Sequence, residues 1–201
     1  MAKNKSYFGN EIKNYEKFGE LILPKDKSII IRLDGNSFSK LTKNKNFKKP
    51  FDDDFRKGME SSLIKTFEYT GAKIGYSQSD EITLLLSNNG FLGNRVSKLC
   101  SLVASIASNA FNEYFLKDGE FLNAIFDCRA FIVPYEEVNN VFLWRQQDAL
   151  KNAVYSVAFF GLQEKGYSAR KASAYLKGKS MKEKNELIFK ELNYNVNCTP
   201  S

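Results

Sequence analysis

The sequence predicts an α+β fold in which an antiparallel sheet of split β-α-β topology, the ferredoxin-like pattern, carries helices on one face. Three observations support this fold class. Segments of strand and helix character follow one another in the order strand, helix, strand, strand, helix, strand. Two of the helical segments carry a single apolar stripe, as helices that cover one face of a sheet do. The chain has 201 residues, 43% of them hydrophobic, which is enough for one domain with its own core.

The first predicted strand is the β-branched run Ser28–Leu33, which stops at an Asp-Gly pair. An acidic run at 52–54 then begins a helix, because carboxylates favour the positive end of the helix dipole. The apolar face of this helix repeats every fourth residue, at Phe55, Met59, Leu63 and Phe67. The same patterns predict a hairpin of strands 72–76 and 81–86, a helix over about 94–116, a strand over 124–133, and helices over 137–162 and 168–177.

The absence of histidine limits the possible chemistry. Without imidazole the chain cannot build a Ser-His-Asp triad, a Cys-His pair or a histidine-ligated zinc site. Three cysteines without paired spacing indicate neither a disulfide scaffold nor a secreted protein, so we predict a cytoplasmic location. Cys128 is more typical of a buried small residue than of a nucleophile, because no base is available to activate it. An enzyme of this composition must use carboxylates, cations or a metal held by oxygen ligands.

The net charge of +7 predicts an anionic partner, and no apolar run is long enough for a membrane span. The cations are concentrated towards the end of the chain, where seven of them lie within 165–184 beside a single acid. We therefore predict one catalytic domain, 1–201, whose last part, 163–201, is a basic extension. A solvated lysine surface is the simpler alternative for this stretch.

Acidic residues stand at two places that the predicted topology brings together. Asp34 ends the first strand, and Asp80 and Glu81 stand at the tip of the hairpin. The first and third strands of a split β-α-β sheet are neighbours, so these carboxylates can lie side by side. Such a pair repels unless a cation lies between its members, and Mg²⁺ prefers oxygen ligands of this kind. Taken singly, either motif is more typical of an ordinary solvated turn.

Six blocks of the sequence carry a resemblance to one family. They are IIIRLDGNSFSKLT, NFKKP, YSQSDEITLLL, FDCR, WRQQDALKNA and KNELIFKELNYNVN. In this order they resemble the landmarks of the tRNA-His guanylyltransferases and their guanylyltransferase-like relatives, the 3′-to-5′ polymerases. The resemblance runs from about residue 5 to the end, and the family pattern continues past Ser201. It implies a polymerase palm-like fold, two Mg²⁺ ions, ATP and GTP as substrates, tRNA as partner and a homotetramer built as a dimer of dimers.

The resemblance also implies roles for individual residues. Asp34 and Asp80 match the metal-binding aspartates, Gly35 matches a carbonyl ligand, and Glu81 matches the neighbouring catalytic acid. The nucleotide-binding positions are Asp34, Gly35, Asn36, Ser37, Phe38, Ser39, Lys49, Ser79, Asp80, Arg95 and Lys98. The expected RNA contacts are Arg129, Arg145, Asn152 and Lys184. Without the resemblance, Phe38 is more typical of a core residue, and the helical face of Arg145 and Asn152 fits a polar flank equally well.

One departure from the family pattern separates two functions. The guanylyltransferases proper carry a His-Ile-Asn-Asn signature where this chain has the segment 150–153, Leu-Lys-Asn-Ala. The chain is therefore more similar to the branch that repairs 5′-truncated tRNA by template-directed 3′-to-5′ addition. Three alternatives stay open: a guanylyltransferase that adds a single 5′ guanosine to tRNA-His, a catalytically silent RNA-binding module, and a nucleotidyl cyclase.

Overall fold

A four-stranded antiparallel sheet forms the centre of the molecule. In the computed structural model, residues 5–17, 20–86, 90–117 and 119–193 are described. The strands are Ser28–Gly35 (β1), Ile74–Gln78 (β2), Glu81–Leu85 (β3) and Phe126–Val133 (β4). Their order is β2-β3-β1-β4, and each pair of neighbours runs antiparallel. This is the split β-α-β arrangement that the sequence predicts, with the first and third strands adjacent.

Seven α-helices are described around the sheet. They are Lys5–Glu16 (α1), Phe38–Asn44 (α2), Asp53–Thr70 (α3), Val96–Leu116 (α4), Val138–Glu164 (α5), Ala169–Leu176 (α6) and Met181–Leu192 (α7). The helices predicted from periodicity correspond to α3, α4, α5 and α6. The helices α1, α2 and α7 are not among those predicted from the sequence. For α7 a local signal was present, because Ser180 and Glu183 form a reciprocal capping box at its start.

One face of the sheet packs against α3 and α4 and forms the larger apolar core. Ile29, Ile31 and Leu33 alternate along β1 and are almost fully buried on this face. The helix α3 approaches α4 through small residues rather than through the predicted apolar stripe alone. Its Ser62 hydroxyl donates to the carbonyl of Ala107 at 3.0 Å, so a polar side chain is buried without an unmet hydrogen bond.

A second apolar cluster holds the C-terminal helices together. Its buried members come from α5, α6 and α7 and are Val154, Val157, Ala158, Leu162, Ala172, Leu176, Leu187 and Ile188. The predicted basic extension thus contains two helices that dock on the second half of α5. The end of that extension, 194–201, lies outside the described residues, and so does Cys198. None of the helices in the described ranges combines the length and the apolar character that crossing a bilayer demands.

The acidic run at 52–54 caps α3 as the sequence predicts. The Asp52 carboxylate accepts hydrogen bonds from the amides of Asp54 and Phe55, both at 2.9 Å, and of Lys48 at 2.8 Å. Burial alone would raise the pKa of Asp52, but these three bonds outweigh it and hold the pKa below its usual value. The charged form of Asp52 therefore stabilises the fold.

Replacing Asp52 by Ala should lower the free energy of unfolding by about 1 kcal/mol at neutral pH, because the first turn of α3 loses its cap. A lowered pKa in the folded state means that this contribution is present above the unfolded pKa near 4 and is lost as the pH falls below it. Urea unfolding of both proteins between pH 7 and pH 3 measures the difference. Asp53→Ala is the control, since the ion pair of Asp53 with Arg56 is exposed to solvent and its loss should change the free energy of unfolding little.

Candidate active site

The register of the sheet places the predicted acids at one edge. Asp34 on β1 is the direct partner of Glu81 on β3. On its other side, Asp34 is the direct partner of Asp127 on β4. Directly opposed residues of antiparallel strands point to the same face, so all three carboxylates lie on the face opposite α3 and α4. The side-by-side placement of the first strand and the hairpin tip is therefore confirmed.

Asp80 lies in the two-residue turn that joins β2 to β3. Its carbonyl accepts a hydrogen bond from the amide of Gly35 at 2.9 Å, which ties the turn to the end of β1. Ser79, the other turn residue, has a φ of 49°. Burial raises the pKa of Asp80 above its usual value, and the nearby charge of Asp34 adds to the rise, while Lys49 opposes it. The backbone thus holds two carboxylates close enough for the charge of one to disfavour the charge of the other.

The carboxylate of Glu81 faces a buried arginine. The Nε atom of Arg145, on α5, lies 2.7 Å from Oε1 of Glu81, and the two side chains are 7% and 14% exposed. Nη2 of Arg145 also donates to Oδ2 of Asp148 at 2.7 Å. A guanidinium that is enclosed and engaged by two carboxylates has no free surface for RNA. The structure thus places Arg145 in a buried ion pair and not on the exposed surface that the predicted RNA contact needs.

The loop after Asp34 holds most of the residues predicted to line a nucleotide. Asn36, Ser37 and Ser39 are exposed there, next to the acidic edge. Phe38 differs, because its ring is 2% exposed and packs against the rings of Phe111 and Phe126 with centroids 5.2 and 4.9 Å away. This burial agrees with the core character that the residue type favours, and it leaves the Phe38 ring no open face for the nucleotide-binding role that the resemblance implies.

The predicted triphosphate cations separate into two places. Lys49 is close enough to the acidic edge for its charge to lower the pKa of Asp80, and its Nζ donates to Thr42 Oγ1 at 3.1 Å. Arg95 and Lys98 lie instead at the start of α4. Near the other end of this helix, the ring of Phe111 packs against the ring of Phe126 on β4. At 1.5 Å per residue, roughly 20 Å of helix separates Lys98 from Phe111. Within one chain, these two cations are not part of the acidic edge.

The other predicted RNA contacts are accessible to different degrees. Arg129 is on β4, on the same face as the acids, and its guanidinium lies 3.7 Å from Asp127 Oδ1 with about half of each side chain exposed. Asn152 is exposed on α5. Lys184 is partly buried, and its Nζ atom donates a hydrogen bond to the carbonyl of Lys179 at 2.8 Å. Each of these three residues presents at least part of its surface to solvent.

The donor atoms at the acidic edge fit a hard divalent cation. Asp34 and Asp80 supply carboxylate oxygens and Gly35 a carbonyl oxygen, which are the ligands that Mg²⁺ prefers. Among the described residues, no three Asp, Glu, Cys or His side chains converge as a metal-binding group. Because Mg²⁺ prefers six oxygen ligands, two carboxylates and a carbonyl would leave coordination positions for water and phosphate oxygens.

Three further side chains of this face were not singled out as site residues from the sequence. Asp127 flanks Asp34, Arg32 precedes it by two positions on β1, and Trp144 on α5 reaches over the sheet. The Trp144 ring lies 4.2 Å from the Arg145 guanidinium carbon and 5.7 Å from that of Arg32. The period-two spacing of Arg32 with Asp34 was a usable signal for the shared face. The position of Trp144 had no such signal, because it depends on how α5 docks.

Comparison with known proteins decides the family. A family profile described as tRNAHis guanylyltransferase matches residues 9–134. A second profile, the Thg1 C terminal domain, matches residues 136–201. The chain belongs to the tRNAHis guanylyltransferase family. It is accordingly a nucleotidyltransferase, and the silent RNA-binding module and the cyclase are set aside. The boundary between the two profiles coincides with the boundary between the two apolar clusters.

Individual relatives of this family agree with the assignment. The tRNA(His) guanylyltransferase of Schizosaccharomyces pombe is 35% identical over 207 residues, which cover 100% of this chain and 77% of that protein. A bacterial tRNA(His) guanylyltransferase (Thg1)-like protein solved in complex with ATP superposes with a TM-score of 0.85 at 33% identity, over 96% of this chain and 83% of that one. A bacterial Thg1-like protein in complex with GTP gives a TM-score of 0.71 at 36% identity, over 75% and 76%. The likeness confirms the palm-like fold of the family.

Gly35 offers a direct test of how tightly the acidic edge is packed. A Cβ atom at this position would overlap the ring of Phe38. We therefore expect Gly35→Ala to lower the free energy of unfolding by about 1–3 kcal/mol, as overpacking a core does. Urea unfolding measures the loss. Adding Phe38→Leu should recover part of it, because the smaller side chain makes room for the methyl group.

Gly9→Ala is the matched control, since a Cβ at Gly9 meets no atom within 4 Å and the change within α1 should be neutral or slightly stabilising. If Gly35→Ala unfolds like the wild type, the close contact between the metal-site loop and the core does not exist.

Proposed function

We propose that this chain adds nucleotides in the 3′-to-5′ direction to the 5′ end of tRNA, and that it does so to repair truncated 5′ ends under the direction of the opposite strand. The observation that carries the proposal is the edge where β1 meets the β2–β3 turn. There Asp34 and Asp80 are held together by the Gly35–Asp80 hydrogen bond of 2.9 Å. The family membership and the triphosphates present in the two bacterial relatives support the same chemistry.

The proposed reaction consists of in-line displacements at phosphorus. A 5′-monophosphate is first joined to AMP or GMP from a triphosphate, with pyrophosphate leaving. The 3′-hydroxyl of the incoming nucleotide then attacks that 5′ phosphorus, a new phosphodiester bond forms, and the mononucleotide leaves. An RNA with a 5′-triphosphate skips the first step and releases pyrophosphate. Catalysis of such transfers rests on positioning and on the stabilisation of developing negative charge.

Each residue of the acidic edge has a part in this proposal. Asp34, Asp80 and the Gly35 carbonyl would hold two Mg²⁺ ions, which supply Lewis-acid stabilisation of phosphate oxygens when bound. Lys49, close enough to influence Asp80, would neutralise charge on a triphosphate. Glu81 is the neighbouring catalytic acid that the resemblance assigns, and its carboxylate lies beside Asp34 on the same face.

The loop residues complete the proposed nucleotide site. Asn36, Ser37, Ser39 and Ser79 would line the nucleotide with exposed polar groups, and Phe38 would support their loop from the core. Arg95 and Lys98 would bind a triphosphate away from the acidic edge of their own chain. We further propose that Arg129, Asn152 and Lys184 contribute to RNA binding, that the chain acts as one catalytic unit, and that it assembles as a tetramer.

The choice of template-directed repair over guanosine addition rests on the surface of α5. The segment 150–153 replaces the histidine-containing signature of the guanylyltransferases proper, and Leu150, Lys151 and Asn152 are exposed there. Leu150 stands in place of the imidazole of that signature and Ala153 in place of its last asparagine, whereas Asn152 keeps the third position. Selection of the incoming nucleotide by pairing with the opposite strand needs no such group.

The second candidate is addition of a single 5′ guanosine to tRNA-His. The names of the relatives favour it, including that of the Schizosaccharomyces pombe protein. Both candidates use the same acidic edge, and they differ only in what selects the nucleotide.

A tRNA that lacks its first nucleotide distinguishes the two candidates. We expect Mg²⁺ and all four triphosphates to give 5′ addition of whichever nucleotide pairs with the opposing base, followed by a stop once the acceptor stem is complete. The measurement changes that opposing base to each of the four in turn and identifies the added nucleotide by sequencing.

Guanosine added regardless of the opposing base would replace repair by the second candidate. Extension at the 3′ end would contradict the proposed direction of synthesis. An intact acceptor stem is the control substrate, since repair should leave it unextended, whereas a tRNA-His guanylyltransferase should add one guanosine to tRNA-His.

A further inference from the structure

The buried arginine of α5 lies directly behind the acidic edge. Arg145 is 6% exposed although it is a charged residue, and it lies in the first third of a 27-residue helix. Its Nε atom is 2.7 Å from Glu81 Oε1, and its Nη2 atom is 2.7 Å from Asp148 Oδ2. The Trp144 ring covers the guanidinium at 4.2 Å from its centroid. Two carboxylates and an indole thus define a single position for this cation.

Burying the Arg145 guanidinium costs free energy unless other groups compensate for its lost hydration. A guanidinium loses its hydration when it is enclosed, and only close, well-placed acceptors offset the loss. The Nη2–Asp148 contact is a true hydrogen bond. The Nε–Glu81 contact is short but lacks the angle of a hydrogen bond, so its attraction is mainly electrostatic. Asp148 therefore fixes the rotamer of Arg145, and the charge of Arg145 in turn attracts the Glu81 carboxylate.

The partner of Arg145 is the residue whose orientation matters most for the proposed site. Glu81 follows Asp80 in sequence and is the direct register partner of Asp34. Its Oε1 atom also lies 3.4 Å from the hydroxyl of Thr83. The Glu81 side chain is 14% exposed, and Asp34 is its register partner and Asp80 its chain neighbour. Without Arg145, its negative charge would lose the cation that it faces. Repulsion among these carboxylates would then favour other rotamers of Glu81.

The same ion pair joins the two parts of the molecule. Glu81 belongs to the sheet, and α5 belongs to the apolar cluster of the C-terminal helices. Asn152, exposed on α5, has its amide nitrogen 3.5 Å from Asp148 Oδ2. A line of polar groups therefore leads from the solvent-facing side of α5 through Asp148 and Arg145 to the acidic edge.

We propose that Arg145 is a positioning residue for the reaction: it is fixed by Asp148 and holds the Glu81 carboxylate in its working orientation, rather than contacting RNA. The inference rests on the proposed function, since it takes Glu81 as a catalytic acid. It predicts that Arg145 and Glu81 act as one unit, whereas an RNA contact would act independently of Glu81.

The test is a double-mutant cycle on 5′ nucleotide addition. Glu81→Gln, Arg145→Gln and the double variant are compared with the wild type for kcat and for the KM of the triphosphate and of the RNA. We expect Arg145→Gln to lower kcat about 10- to 100-fold, the usual effect of losing a group that orients an active-site ligand, with both KM values nearly unchanged. The double variant should be no slower than Glu81→Gln alone.

Two further measurements separate positioning from folding. Guanidinium ion at millimolar concentration should restore part of the kcat of Arg145→Ala, because it can occupy the vacated place between Glu81 and Asp148. Arg56→Gln is the control, since the ion pairs of Arg56 with Asp53 and Glu60 on α3 are exposed to solvent, and guanidinium should not change the kcat of this variant. Arg145→Gln leaves the charge of Glu81 without its partner, which can impair folding. The double variant removes that charge as well, so its kcat can still be compared with that of Glu81→Gln.

The outcomes distinguish the inference from the proposed function. Independent, multiplicative losses in kcat, or a raised KM for RNA with unchanged kcat, would show that Arg145 acts on its own and would overturn the inference while leaving the proposed function intact. Full activity of Glu81→Gln would remove Glu81 from the proposed catalytic site, and the inference would fail with it. Full activity of Arg145→Gln would overturn the inference alone.

Discussion

The pairing of β1 with β3 and β4 is the constraint on which the site depends, because it brings carboxylates together at one edge of the sheet. Asp34 stands in register with Glu81 on one neighbouring strand and with Asp127 on the other, and Asp80 lies at the adjoining turn. Backbone pairing fixes these positions, so the side chains cannot move apart by more than a change of rotamer. Their charges must be balanced by cations, and the sheet face opposite α3 and α4 accordingly carries arginines and an oxygen site suited to Mg²⁺.

The two sources of positive charge differ in kind. Arg145 is a permanent cation, buried and supplied by the C-terminal helices, and it is paired with Glu81. Asp34 and Asp80 lie close to each other instead, and the pKa of Asp80 is raised by burial and by the charge of Asp34. Asp34 and Asp80 are thus available to a metal ion, whereas Glu81 is oriented by Arg145. It also explains why α5 extends from its own apolar cluster to the face of the sheet.

The sequence predicted the fold more completely than the details of the site. Period-two and period-four apolar patterns located the four strands and α3 to α6, because burial on one face imposes those periods. The helix α7 was missed although the capping pair of Ser180 and Glu183 was present in the sequence. The short α2 and the polar α1 have no apolar stripe of sufficient length to reveal them.

Within the site, the adjacency of Asp34 and Asp80 followed from strand order alone. The burial of Phe38 and of Arg145 did not follow from the sequence. Residue type and helical spacing indicate which residues share a face, but they do not indicate which other part of the protein packs against that face. Phe38 is turned inward against Phe111, and Arg145 is covered by Trp144. The separation of Lys98 from the acids likewise depends on the length and direction of α4, which no local motif encodes.

The central claim is that the carboxylates at this edge perform metal-dependent nucleotide addition. The most direct measurement is the rate at which Asp80→Asn, compared with the wild type, adds a labelled nucleotide to a 5′-triphosphorylated tRNA lacking its first residue at saturating Mg²⁺. The substitution keeps the shape of the side chain and removes its charge. The account predicts a loss of at least about 100-fold in rate, with a melting temperature in the absence of metal that is unchanged or higher because the repulsion with Asp34 is relieved. A variant that adds nucleotides at the wild-type rate would contradict it.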